Sequence, residues 1–183
     1  MLKFILLGFL NYAPMTGYQI KTLIEDSTAH FWHAYHSQIY TTLRALEEQG
    51  LVSSEMDESD EKLQRRVYTL TEVGRQALLS WLNDAMMAPS TVKDELLVRV
   101  FFSGQRSAQS VREELLIQRR LHQQQLELYR AINLRGWTSE FETEPVGPVD
   151  LAHESKFWAA TLKFGMRYEQ LYLDWLDELL ASL

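Results

Sequence analysis

A chain of 183 residues with 46% hydrophobic and 11% aromatic content is long enough for one full domain, or a small domain with a helical extension, and apolar enough to bury a core rather than stay disordered. It contains no cysteine, which excludes disulfides, thiol nucleophiles and zinc-thiolate sites. A formal charge of −7 runs against the usual source of nucleic-acid affinity, Lys and Arg displacing counterions from phosphate, so any DNA-contacting face must owe its sign to a local cluster.

No run approaches the roughly 18 apolar residues of a membrane span, and the opening MLKFILLGFL is too short and lacks a small-residue cleavage site. A soluble, cytoplasmic protein with no membrane partner is expected. Within that opening, Leu2, Ile5, Leu6, Phe9 and Leu10 predict an amphipathic core helix that stops at Asn11 and Pro14. Thr16, with Gln19 three residues on, predicts a capping box at the start of a second helix. That helix runs to about Asp26 and buries Ile20, Leu23 and Ile24. Pro14 and Gly17 suit the corner between the two. The next stretch, STAHFWHAYH, sets His30, His33 and His36 at every third position. The spacing raises a metal reading, but neither a cysteine nor a closely placed carboxylate completes a ligand set, and no metal is expected.

Ser37 to Gly50 predicts a third helix in which Ile39, Leu43 and Leu46 form the buried stripe and Ser37, Gln38, Thr41, Thr42 and Arg44 stay outside. Short hydroxyls, an amide and a guanidinium reach phosphates and base edges, and a reading helix works mainly from its N-terminal half. Gly50 supplies a left-handed stop. Beyond it the period changes: LVSSE and RRVYTLT alternate as strands, and the polar MDESDEKLQ between them reads as a hairpin tip. Three helices followed by a two-stranded wing predict a winged helix-turn-helix. Thr71 then caps a fourth helix that packs through Val73, Ala77, Leu78, Trp81 and Leu82.

Taken together, LGFLNYAPMTGYQI, FWHAYHSQIYTTLRALEEQGLV and RRVYTLTEVGRQALLSWL resemble the PadR family of bacterial transcriptional regulators. The resemblance is carried by the Gly17-Tyr18 pair, Tyr40 in an IYxxL setting, the EEQGLV run and YxLTxxG, across roughly the first 85 residues. It implies a winged-helix DNA-binding domain, a dimer and transcriptional control, usually repression. It places Tyr18 and Gln19 of the second helix, Ser37, Gln38, Tyr40, Thr41 and Arg44 of the third, and the basic side chains of the wing near DNA. For Tyr40, packing against the second helix with an outward hydroxyl is the competing expectation. The wing departs from the family, whose tip usually carries Gly, Pro and basic residues: here it reads Asp57, Glu58, Ser59, Asp60, Glu61. Such a tip repels a phosphate backbone. Only Lys62, Arg65 and Arg66 could then hold a phosphate, with Gln64 reaching a minor groove, and pairing of Arg65 and Arg66 with the tip acids is the alternative.

Pro89 and Ser90 predict a boundary, with a DNA-binding domain over 1–86 and an all-α dimerisation domain over 90–183. Thr91 restarts helix, and VKDELLVRVFFSG reads as a short apolar helix through Leu96, Leu97, Val100 and Phe101, closed by Gly104. Ser107 or Ser110 begins a long helix to about Leu134, whose seam of Val111, Leu115, Leu126 and Tyr129 is interrupted by Gln118, His122 and Gln125. The Gly- and Pro-rich stretch 136–150 predicts a loop. From about Leu151 to Leu180 two apolar stripes follow, Trp158, Leu162, Tyr172, Leu176 and Leu179 on one face and Phe157, Phe164, Tyr168, Leu171 and Trp175 on another. Two stripes imply burial from two sides and hence a homodimer, a monomeric bundle being the alternative. By pattern, this half resembles the longer C-terminal region of one PadR subgroup.

The expected protein is therefore mostly α, a dimeric regulator reading a pseudo-palindromic operator in double-stranded DNA with two third helices about one turn apart. A small aromatic effector near Trp32, Trp137, Trp158 or Tyr168 is a further, compatible expectation. No enzyme and no cofactor are expected: there is no glycine-rich phosphate loop, metal-ligand motif or Ser-His-Asp context, and adjacent Glu47 and Glu48 point to different sides of a helix. A winged fold used as a protein-binding module is the alternative that the acidic balance favours.

Overall fold

The computed structural model describes residues 1–28, 31–32, 34–57, 65–91, 93–132 and 149–183. His30, His33, Lys62, Gln64, Trp137, the tip residues Glu58 to Glu61 and most of the expected 136–150 loop lie outside the described residues. The chain divides into two compact units, Met1–Ala85 with Leu134–Lys156 and Met86–Asn133 with Phe157–Leu183.

The first unit holds α1 (Leu2–Leu10), β1 (Met15–Thr16), α2 (Gly17–Leu23), α3 (His36–Glu48), β2 (Val52–Asp57), β3 (Arg65–Leu70) and α4 (Glu72–Asn83). The four expected helices and both strands of the wing are there. Leu6, Leu7 and Leu10 of α1, Ile20 and Leu23 of α2, and Ile39, Leu43 and Leu46 of α3 are buried with Val52, Tyr68, Leu70 and Leu78, each aliphatic side chain contributing about 1.5–3 kcal/mol of burial. Thr16 forms the expected capping box, its Oγ1 accepting from the Gln19 amide at 3.2 Å while Gln19 Oε1 accepts from the Thr16 amide at 2.8 Å. Gly50, at φ +69, turns the chain out of α3. Thr71 Oγ1 accepts from the Gly74 amide at 3.0 Å and itself lies 2.8 Å from the Gly50 carbonyl and 3.0 Å from that of Leu51.

Within this unit three features depart from expectation. Met15–Thr16 forms an extra strand, antiparallel to β3 with Met15 opposite Tyr68, so that β3 is central in the order β1-β3-β2; two residues are too few for alternation to reveal. The second helix gives way after Leu23 to a π turn, Ile24–Thr28, where the Ser27 and Thr28 hydroxyls donate to the Leu23 and Ile24 carbonyls and so compete with regular helical bonding. On α4, Leu78 is buried and Trp81 stacks on Phe4 at 4.4 Å, but Val73 and Leu82 are exposed. Gly74 takes the inner place of the first turn because a Cβ there would stand 2.0 Å from the Leu51 carbonyl oxygen, and Leu82 falls in the last turn, one residue beyond the Phe4–Trp81 stack.

In the second unit, α5 (Glu95–Phe101) leads through a tight turn, Ser103–Gln105, to α6 (Ala108–Ala131) and to α7 (Leu151–Ser182), whose residues from Phe157 onward belong here. Helix restarts at Glu95 rather than Thr91: Asp94 is the cap, its Oδ1 accepting from the amides of Leu96 and Leu97. Only Leu96 of this short helix is buried; Leu97 and Phe101 face out, since seven residues cover about two turns and present one face to the core. Ser107 caps α6, and Val111, Leu115, Leu126 and Tyr129 are buried as expected. Leu96, Val111, Leu115, Tyr172 and Leu176 form one cluster, with Tyr168, Trp175 and Leu179 packed around it. The interruption at His122 is a polar thread: its Nδ1 lies 2.5 Å from buried Glu169 Oε2, its ring stacks on Tyr172 at 4.2 Å, and the Tyr172 hydroxyl donates to Asp94.

The first α7 stripe is inward, with Leu162, Tyr172 and Leu176 buried and Trp158 and Leu179 half-buried. The second is not one face. Tyr168 and Trp175 pack on the cluster, whereas Phe157, Phe164 and Leu171 are 56%, 62% and 64% exposed. Each set recurs every seven residues, so the two run along adjoining flanks instead of merging.

Among the described residues, no group of His, Cys, Asp or Glu side chains is placed to hold a metal ion, and no helix is long and apolar enough to cross a membrane.

Candidate nucleic-acid interface

Helix α3 leaves Ser37, Gln38, Thr41 and Arg44 exposed while Ile39, Leu43 and Leu46 point inward. Its first turn is fixed by Gln38, whose Oε1 accepts from the Tyr35 amide at 3.1 Å. Gln19 does the same for α2. Both expected readers thus spend their carbonyl oxygen on a helix start and keep their amide NH2 groups for other partners. Thr42 turns its hydroxyl back to the Gln38 carbonyl, 2.7 Å away.

Two hollows divide the expected residues. Tyr18 and Gln19 of α2, Tyr40 and Arg44 of α3, and Arg65 and Arg66 of β3 line one groove of about 1180 Å³, together with Met56, Val67 and Tyr68. Ser37, Gln38, Thr41 and Thr42 line a smaller one of about 410 Å³ with Leu2 and Trp32. The faces of α3 explain the split, since positions 40 and 44 share a stripe turned from that of 38 and 42. Tyr40 is half-buried; its ring rests on Gly17, where an added Cβ would meet Tyr40 Cε1 at 2.7 Å, and it also meets the His36 ring at 4.6 Å. Packing is therefore its main role, with its edge in the groove.

Charge in the larger groove is the reverse of the chain's net value. Arg44, Arg65 and Arg66 all border it. Arg66 pairs with Glu47 of α3, Nη1 to Oε2 at 3.1 Å; the expected alternative, pairing with the acids of the tip, falls beyond Asp57 on residues outside those described. The other Glu47 oxygen accepts from Ser54 Oγ of β2 at 2.5 Å. Among the described residues Arg44 has no ion-pair partner, so its donors are available to a phosphate or a base edge. Tyr68 lies beneath: burial pushes its phenol pKa up, and the nearby Arg66 and Arg44 guanidinium groups oppose that shift only in part. The phenol is neutral at physiological pH and remains a hydrogen-bond donor. Beside Tyr18, Lys21 is held by Glu25 at 2.9 Å, and this bond raises the lysine pKa.

Glu47, Ser54, Met56 and Tyr68 are the members of this site that sequence reasoning missed. Alternation marks Tyr68 as inward, but the register that sets Ser54 opposite Tyr68 and Met56 opposite Arg66 is not written in either strand alone.

Residues 6–80 match the transcriptional regulator PadR-like family, and residues 92–183 match the virulence activator alpha C-terminal region. The negative transcriptional regulator PadR of Bacillus subtilis is 30% identical over 182 residues, covering 100% of this chain and 97% of that protein. Its crystal structure in complex with operator DNA aligns with a TM-score of 0.77 at 29% identity, over 99% of this chain and 98% of the other. Its complex with p-coumaric acid gives a TM-score of 0.72 at 27% identity over 99% and 97%. The virulence activator AphA of Vibrio cholerae gives 0.71 at 26% identity over 100% and 97%. With the winged unit and the helical unit both matched, the chain belongs to the PadR-like family of transcriptional regulators.

Proposed function

We propose that this regulator acts as a cytoplasmic homodimer that binds operator DNA, its work being recognition rather than catalysis. The carrying observation is that Tyr18, Gln19, Tyr40, Arg44, Arg65 and Arg66 line one groove with a local excess of guanidinium groups. In this reading the segment 1–86 contacts the duplex, Arg44 grips it from the wall of the groove, and Ser37, Gln38 and Thr41 approach it from the N-terminal half of α3. The segment 90–183 joins two copies. Support comes from the exposed Phe157, Phe164 and Leu171 of α7, with Phe101 and Phe102 at the end of α5 and Leu121 of α6 exposed as well, apolar area that a partner copy would cover. A small aromatic effector is a second, compatible reading, favoured by the p-coumaric acid complex of the Bacillus subtilis relative.

The test is selection of bound sequences from a pool of random duplexes on the full-length protein, followed by titration at several salt concentrations. An inverted repeat with half-sites about one helical turn apart is expected to enrich, and affinity for it should fall steeply with salt. Arg44→Ala should weaken operator binding at least tenfold, about 1.4 kcal/mol, with an unchanged circular dichroism spectrum. No enrichment, or an unaffected Arg44 variant, would refute the reading.

A further inference from the structure

Glu47 sits one turn beyond Arg44 on α3 and reaches both strands of the wing, accepting from Ser54 Oγ on β2 at 2.5 Å and from Arg66 Nη1 on β3 at 3.1 Å. Its side chain is 31% exposed and that of Arg66 49%, and an ion pair so open to water adds little to stability. A carboxylate beside a surface that receives phosphate also repels every duplex, whatever its sequence. Fold stability is thus a poor account of its place, and affinity alone would select against it.

Orientation supplies an account. Ser54 fixes the carboxylate, the carboxylate takes one Nη1 hydrogen of the Arg66 guanidinium, and the remaining donors of that planar group are left pointing in a set direction. A guanidinium already oriented loses less freedom when it docks. On a duplex that offers Arg66 no matching acceptor, Arg66 stays on Glu47 and gains no contact that offsets the repulsion between the carboxylate and phosphate, which penalises the complex.

We propose that Glu47 is a positioning residue that sets operator specificity: it orients Arg66 for the correct duplex and repels others. The proposal rests on the groove being the DNA-reading face. Its chemistry requires Arg66 as the intermediary, which separates it from a plain charge effect.

The test uses the full-length protein, the selected operator and a scrambled duplex of equal length. Glu47→Gln keeps an oxygen to accept from Arg66 and an NH2 that can donate to Ser54 Oγ, but drops the charge. It should bind the scrambled duplex about five- to tenfold more tightly and the operator within about twofold of the parent, so that discrimination falls. Arg66→Gln should weaken operator binding about tenfold and make the slope of log affinity against log salt shallower by about 0.9. In the double variant, Glu47→Gln should reduce discrimination no further. An unchanged ratio, a proportional loss on both duplexes, or an identical effect with and without Arg66 would overturn the role of Glu47. If Arg44→Ala and Arg66→Gln both left operator affinity intact, the groove itself would be the wrong face, a result distinct from failure of Glu47 alone.

Discussion

Two glycines show how little room individual positions of the winged unit leave. An alanine methyl at Gly17 would stand 2.7 Å from Tyr40 Cε1, the edge of a ring that can turn aside, whereas one at Gly74 would stand 2.0 Å from the Leu51 carbonyl oxygen, part of the backbone. Gly17→Ala is expected to cost about 1–3 kcal/mol and to shift Tyr40 within the groove. Gly74→Ala, which must move main chain, should cost more. Thermal denaturation of the two variants ranks them, and a smaller loss at Gly74 would contradict the geometry. Both glycines are visible in the sequence through the Gly-Tyr pair and the YxLTxxG run. What is not visible is the reason for them, because each is decided by a neighbour on another element.

Among the elements, the start of α5 shows why local pattern favours a cap at Thr91, one turn before the one the fold uses. Thr91 and Asp94 are both good caps by type. Asp94 prevails because its second oxygen takes the hydroxyl of Tyr172, 78 residues away, a partner no local pattern reveals. Asp94→Ala is expected to cost about 2 kcal/mol, roughly 1 from the cap and the rest from a phenol left without its acceptor. Tyr172→Phe should cost about 1 kcal/mol, and the double variant less than the sum, since both changes remove the same bond. Urea denaturation of the set gives the coupling; strict additivity would mean the two groups act independently. Periodic helices were legible for the opposite reason. The buried stripes of α3 and α6 follow from spacing alone, whereas the second stripe of α7 divides because its two heptad sets run along different flanks.

For the whole molecule the decisive quantity is where charge lies. A net −7 says nothing about a groove bordered by Arg44, Arg65 and Arg66, and it was the order of elements, not the charge, that pointed to DNA. Many acids are paired in the second unit. Arg106 holds the Glu114 carboxyl below its ordinary value of 4.5, and Arg119 holds that of Asp177 below 3.8. A carboxyl so depressed takes up a proton less readily in the folded chain than in the unfolded one, so its contribution is present above the unfolded value and is lost as pH falls through the folded one. The melting temperature should therefore drop on acidification below about pH 4.5, and Arg106→Gln should make that drop shallower; a parallel profile would exclude the pair as a source. Assembly is tested at the same scale. Phe164→Glu, on an exposed α7 position, should shift the species seen by light scattering from dimer to monomer and weaken operator binding by well over tenfold, because one half-site then acts alone.

The corner at Thr71 has a bearing on how such a regulator changes over generations. The ladder of β2 on β3 closes the ring of chain between the strands, and Thr71 ties its base with both amide and hydroxyl on the Leu51 carbonyl, 20 residues away in sequence; the entropy of a closed ring grows only as the logarithm of its length, about 0.6 kcal/mol per doubling. Insertions, deletions or reversals of charge between the two strands therefore leave the fold nearly as stable as before. Selection is free to rewrite that stretch for each new target while the frame that carries it is inherited intact, and the acid-rich sequence from Asp57 to Glu61 is one draft among many that the frame tolerates.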